Sequence, residues 1–181
     1  MRQFTVGLLF LLGFPAAMAA QQGVGSKVEI TIANEPWTLA FDVKDFSIKE
    51  NGVQPDGRVY LLAENQKNMV TLSAYLERVQ GAATASDCQA TQKARLDEKV
   101  DYKREKIDTK QAAGMEIVEY TIPEFSGAPI QQRNLFACLP KDDVYVDIHL
   151  SKALFKPDDE KRFTGILDSA HFIPKSSPDT K

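Results

Sequence analysis

The chain has 181 residues, of which 43% are hydrophobic and 26% charged, a balance that supports a packed core and excludes a chain disordered throughout. Its 22 Lys and Arg against 25 Asp and Glu give a formal net charge of −3. With no basic excess to steer it toward a phosphate backbone, nucleic acid is excluded as an expected partner, and the length points to one domain.

In chain order, an export signal comes first. Arg2 precedes the apolar run Phe4–Phe14, which is followed by Pro15 and the small residues around Ala17-Met18-Ala19, the charged, apolar and cleavage regions of a secretory signal. Cleavage is expected after Ala19, making 1–19 a signal peptide and 20–27 a flexible lead to a single domain at 28–174. The apolar run is half of the ~20 residues a spanning helix needs, and no later stretch reaches that length. The mature chain is therefore expected to be periplasmic or secreted and not membrane-spanning. Export also places Cys88 and Cys138 in oxidising surroundings, where one disulfide is the simplest pairing. A redox-active Cys88 at a helix start is the alternative, without a Cys-x-x-Cys pair to support it.

Lys27–Ile32 alternates with Val28, Ile30 and Ile32 on one side, and Trp37, Leu39, Phe41 and Val43 repeat the pattern, so two strands are expected. Asn51-Gly52 and Pro55-Asp56-Gly57 then predict a long turn region ending at Val59. Val59–Ala63 and Met69–Val79, joined by five polar residues at 64–68, read as an antiparallel hairpin. In the second run Val70, Leu72, Ala74 and Leu76 form an apolar side, while Met69, Thr71, Ser73 and Tyr75 form an amphipathic one. Such a strand is covered on both faces, and helices are expected on the sheet.

Ser86-Asp87-Cys88-Gln89 has the form of a capping box and predicts a helix from Ser86 to about Lys99. Its inward face, Cys88, Thr91, Arg95 and Leu96, is thin, and a disulfide would reinforce it. Four more strands are expected at Tyr102–Ile107, Met115–Ile122, Gln131–Leu139 and Val144–Leu150, with breaks at Ala113-Gly114, Gly127-Ala128-Pro129 and 140–143. A closing helix follows, with Pro157 at its first position, Asp158, Asp159 and Glu160 in its first turn, and Phe163, Ile166, Leu167 and Ala170 at helical spacing. The helix dipole explains that acidic cluster, so it is not read as a metal site. Residues 175–181 are expected to be a disordered tail. Strands grouped apart from two helices, with short connections, give an α+β fold whose sheet is mainly antiparallel.

The order strands, helix, strands, helix resembles the family of the photosystem II extrinsic protein PsbP and the Ran-binding Mog-type proteins, with its bacterial secreted relatives. The residues that carry the likeness are Gly114-Met115-Glu116-Ile117-Val118-Glu119-Tyr120, the hairpin from Arg133-Asn134-Leu135-Phe136 to Val144-Tyr145-Val146-Asp147-Ile148, and the closing helix running into Ser169-Ala170-His171-Phe172. It implies a sheet sandwiched by helices, an α/β/α arrangement, serving as an accessory or binding module and not an enzyme. It transfers no functional residue, and export excludes a nuclear GTPase as partner.

The strand at 144–151 supplies the main candidate site, because it sets Val144, Val146, Ile148 and Leu150 on one face and Tyr145, Asp147, His149 and Ser151 on the other. Acid, imidazole and hydroxyl share that face. Same-face neighbours on a strand are about 6.6 Å apart, however, beyond the hydrogen-bond reach a catalytic triad needs, and no Gly-x-Ser-x-Gly turn is present. Tyr145, Asp147, His149 and Ser151 are therefore read as a binding face, to which Trp37, Tyr60 and Tyr75 are candidate aromatic additions. The two His, on different elements, and the two paired Cys fall short of a four-ligand zinc site; no phosphate loop occurs, and neither metal nor cofactor is expected. These features lead to an exported, non-enzymatic binding or accessory protein of a bacterial cell envelope, acting through contact with an envelope protein. The alternatives are a small-ligand or lipid carrier, which needs an apolar cavity between sheet and helix, and a hydrolase using His149, which needs a concave pocket bringing acid or hydroxyl groups to that ring.

Overall fold

The structure, a computed structural model, describes residues 27–98 and 103–175. The expected signal peptide, most of the lead, Tyr102 and residues 176–181 of the expected tail lie outside these. A seven-stranded antiparallel sheet dominates, with strands β3 (Ser47–Val53), β4 (Val59–Asn65), β5 (Val70–Arg78), β6 (Glu105–Ala112), β7 (Met115–Phe125), β8 (Ala128–Cys138) and β9 (Val144–Lys152) in the order β3-β4-β5-β9-β8-β7-β6. Between its two halves runs helix α1 (Ala85–Glu98); helix α2 (Glu160–Ser169) follows the sheet after a 3-10 turn, Pro157–Asp159. A second sheet of three short strands, β1 (Val28–Ile30), β2 (Trp37–Phe41) and β10 (His171–Pro174), has β2 at its centre. The fold is thus α+β and mainly antiparallel.

Alternation assigns the faces of the large sheet. Val70, Leu72, Ala74 and Leu76 of β5 and Val144, Val146, Ile148 and Leu150 of β9 are buried in one core with Trp37, Leu39 and Phe41 of β2 and Phe163, Ile166 and Leu167 of α2. The small sheet and α2 therefore cover that face together. The opposite face receives α1, whose Leu96 packs with Val118, Tyr120 and Ile122 of β7 in a second, smaller cluster. Cys88 of α1 and Cys138 of β8 form the expected disulfide, with Cα atoms 5.8 Å apart.

Several expectations change. The turn region before Val59 contains β3, which pairs with β4 from Ser47↔Glu64 to Val53↔Val59 and includes Asn51 and Gly52. This edge strand buries little of its side-chain surface and is held by backbone pairing, so it carries no apolar alternation. Helix α1 is capped by Thr84 and not by Ser86: the Thr84 hydroxyl accepts from the Asp87 backbone N–H at 3.1 Å and lies 2.7 Å from the Asp87 carboxylate. Its buried stripe is Cys88, Gln92 and Leu96, one residue every fourth, with Thr91 and Arg95 at its margin. At the C-terminus β10 pairs antiparallel with β2, so Pro174 is in a strand, and Lys175, assigned to the tail, donates from its backbone to the Pro36 carbonyl at 2.8 Å and from Nζ to the Ile32 carbonyl at 3.0 Å. The β6–β7 connection is a two-residue turn, Ala113-Gly114, with both φ values positive (53° and 72°). That is the requirement of a type I′ hairpin, which glycine meets without strain at its second position.

Candidate functional site

Strand register assembles the site in three rows across the α1 face. The first runs Tyr60, Tyr75, Asp147, Cys138 on β4, β5, β9 and β8; the second runs Ser73, His149, Phe136 on β5, β9 and β8; the third runs Thr71, Ser151, Asn134, Tyr120 on β5, β9, β8 and β7. Each row belongs to the non-core side of its strands by simple period-two alternation. Because Cys138 ends the first row, the disulfide fastens α1 directly beside Asp147. Between the helix and these rows lies a groove of about 870 Å³, within the usual size of small-ligand sites.

Aromatic rings stack along the rows. Tyr60 and Tyr75 have centroids 4.4 Å apart, and the Arg58 guanidinium lies 4.6 Å from the Tyr75 centroid. Phe136 lies nearly parallel to His149 at 4.2 Å and to Tyr120 at 6.2 Å. His149 Nε2 is 3.2 Å from Asn134 Oδ1, an acceptor that also takes a hydrogen bond from Gln132 Nε2 at 3.1 Å, so Nε2 carries the proton in this contact. Burial pushes the Tyr60 hydroxyl above its ordinary value.

Asp147 is the chemically unusual member. It is 9% exposed, and its Oδ1 is buried without a hydrogen-bond partner among the described residues. Desolvation pushes its carboxyl up to about 6; a hydrogen bond from the Gln92 side chain and the positive charges of Arg95 and Arg58 oppose that rise, and Glu77 adds to it. Arg95 is engaged with Glu77 at 2.9 Å, and Arg58 with Asp56.

The four residues of the expected binding face are distributed along the α1 side of the sheet. Asp147 and His149 line the groove, Tyr145 shares a narrow gap under α1 with Asp147, Cys88, Thr91 and Gln92, and Ser151 stands in register between Thr71 and Asn134. The face is not open: α1 roofs it, which is why an acid on the polar side of a strand is nearly inaccessible. Of the aromatic additions, Tyr60 and Tyr75 line the groove, but Trp37 is on the core side, 4% exposed, edge-on to Phe172 and donating from Nε1 to Asp142 Oδ2 at 3.1 Å. Sequence reasoning missed Arg58, Gln92, Tyr120, Gln132, Asn134 and Phe136. Period-two alternation within the hairpin at 133–148 marks the side of Asn134 and Phe136, but the cross-strand register that sets Phe136 against His149 is not written in it. No group of three or more His, Cys, Asp or Glu able to hold a metal occurs among the described residues. Among those residues, no helix is long and apolar enough to cross a membrane.

With this geometry in hand, comparison with solved structures is informative. The solution structure of cyanobacterial PsbP from Synechocystis sp. PCC 6803 superposes with a TM-score of 0.53 at 15% identity, covering 90% of this chain and 99% of that one. The fold is PsbP-like. A crystal structure of a protein from Bacteroides thetaiotaomicron VPI-5482 gives the same TM-score at 9% identity over 85% of this chain. The chain spans 50% of that protein's length. No protein-family model matches the sequence, and no curated protein matches it. The PsbP-like fold agrees with the resemblance carried by the C-terminal half of the sequence, and the disulfide is compatible with an oxidising compartment.

Proposed function

We propose that this chain is an exported, non-enzymatic binding module of a bacterial cell envelope that takes its ligand in the groove beneath α1. The observation that carries this is the groove itself: aromatic walls, a buried carboxylate with an unused acceptor, and a helical roof pinned by a disulfide. Catalysis by His149 draws no support from its defined contacts, since its Nε2 is engaged by the Asn134 amide oxygen and its ring is stacked on Phe136. Carriage of a lipid fits poorly as well, because Arg58, Gln92, Arg95, Glu98, Gln132 and Asp147 make the lining too polar for an acyl chain.

A second reading, accessory contact with an envelope protein, is favoured by one observation. Phe125 and Leu154 are 57% and 53% exposed at the end of the groove where Ile130 lies, and apolar side chains there suit a protein surface. Native mass spectrometry on protein purified without denaturation from its own envelope tests both. A bound small molecule that is absent from the Phe136→Ala protein supports the groove reading. A polypeptide partner released by Phe125→Ser and Leu154→Ser, with an unchanged empty groove, would replace it.

A further inference from the structure

The groove has a chemical preference, and this step rests on reading it as a binding site. Its ionised lining residues are Arg58 and Arg95 against Glu98 and Asp147, and both arginines are already neutralised by Asp56 and Glu77. That leaves Glu98 and Asp147 as the uncompensated charges, so the lining is negative and disfavours an anion.

The rings decide the shape. Tyr75 has Tyr60 at 4.4 Å and the Arg58 guanidinium at 4.6 Å, which cannot share one face of the ring, so both faces are taken. Phe136 stands on β8 between His149 on β9 and Tyr120 on β7, near-parallel to both. Side chains rise roughly perpendicular to a sheet, so rings stacked along its rows turn their edges toward whatever lies above. Aromatic edges are the positive part of the ring quadrupole and pair with the negative face of another π system in T-shaped contacts. A floor of edges therefore favours a flat aromatic guest over the aliphatic C–H face of a sugar, which packs on ring faces.

Asp147 decides the polar requirement. Its Oδ1, buried and without a partner, accepts hydrogen bonds and cannot donate one while ionised. Gln92 of α1 lines the groove beside the carboxylate and hydrogen-bonds to it. We infer that the groove binds a planar aromatic or heteroaromatic ring, neutral or cationic, bearing an N–H or O–H donor, with its face on the edges of Phe136, His149 and Tyr75 and its donor on Asp147 Oδ1.

Titration followed by NMR tests this with five probes: indole, 1-methylindole, phenol, choline and maltotriose. Indole and phenol should shift the Tyr75, Phe136 and Asp147 resonances, and blocking the donor in 1-methylindole should weaken binding about tenfold, the worth of a hydrogen bond to a charged acceptor. In Asp147→Ala, indole and 1-methylindole should bind equally. A structural role for Asp147 would weaken both ligands together and leave their ratio intact, which overturns the assignment of the donor site. Groove shifts caused by choline or maltotriose and not by the planar probes would overturn the ligand class while leaving the binding-module reading standing. If none of the five moves the groove resonances and no small molecule co-purifies, both fall.

Discussion

A single carboxylate sets much of the behaviour of the α1 face. Asp147 meets Gln92 and Arg95 from α1, Arg58 from the approach to β4, and Glu77 and Tyr75 from β5. Burial outweighs these partners, so the group titrates at about 6 when folded against 3.8 for an ordinary aspartate. Between those values the folded chain keeps a proton that the unfolded chain has released. Stability therefore falls as pH rises through this window and levels off above it, with a full difference of about 3 kcal/mol. Asp147→Asn removes the titrating group and keeps an acceptor for Gln92. Urea unfolding from pH 4 to pH 7.5 should show the variant gaining on the parent by up to about 3 kcal/mol across the range. Parallel curves would mean that the carboxylate is not desolvated. The side of the strand on which Asp147 sits was legible from alternation at 144–151. Its burial was not, because that depends on a helix fifty residues earlier being fastened to the adjacent strand.

At the level of elements, legibility follows how each piece earns its stability. Strands β5, β7 and β9 and helix α2 bury apolar side chains at their own period, and the sequence displays that period. Strand β3 relies on backbone pairing at an edge, and β10 relies on a partner more than 130 residues away, so neither shows a local pattern. The cap of α1 was displaced by two residues because Thr84 and Ser86 are both competent N-caps, and the choice falls to the Asp87 carboxylate reaching back to Thr84. Helix α1 buries Cys88, Gln92 and Leu96, a stripe with one large aliphatic side chain. Its docking thus leans on the disulfide, which closes a separation of 50 residues. Chain-entropy arguments put that link at about 4 kcal/mol. The double variant Cys88→Ala, Cys138→Ala should lose a comparable amount in urea unfolding. Hydrogen exchange should then quicken in α1 well before β5 and β9, since the sheet keeps its core on the other face. Uniform acceleration across helix and sheet would show that α1 is held by packing and not by the link.

Across the whole molecule, the two faces of the large sheet divide the work. One is sealed by α2 and the β1-β2-β10 sheet, with Phe41, Leu72, Ile148, Leu150 and Phe163 essentially inaccessible. The other is half-roofed, and Tyr60, Tyr75, Phe136 and His149 remain partly accessible in the groove. Removing a side chain from the sealed face leaves a cavity that the layers on both sides cannot close. Removing one from the groove opens a surface that water already reaches. Phe163→Ala should therefore cost about 3–5 kcal/mol of global stability, whereas Phe136→Ala should cost well under half of that. Binding should invert the order. At a temperature where both proteins are folded, Phe163→Ala should retain parental affinity for a groove ligand such as indole, and Phe136→Ala should lose most of it. Calorimetric unfolding paired with the NMR titration checks this in one set of samples. Equal stability losses from the two substitutions would mean that the rows beneath α1 form a second core, and that the space above them is a packing gap without a ligand.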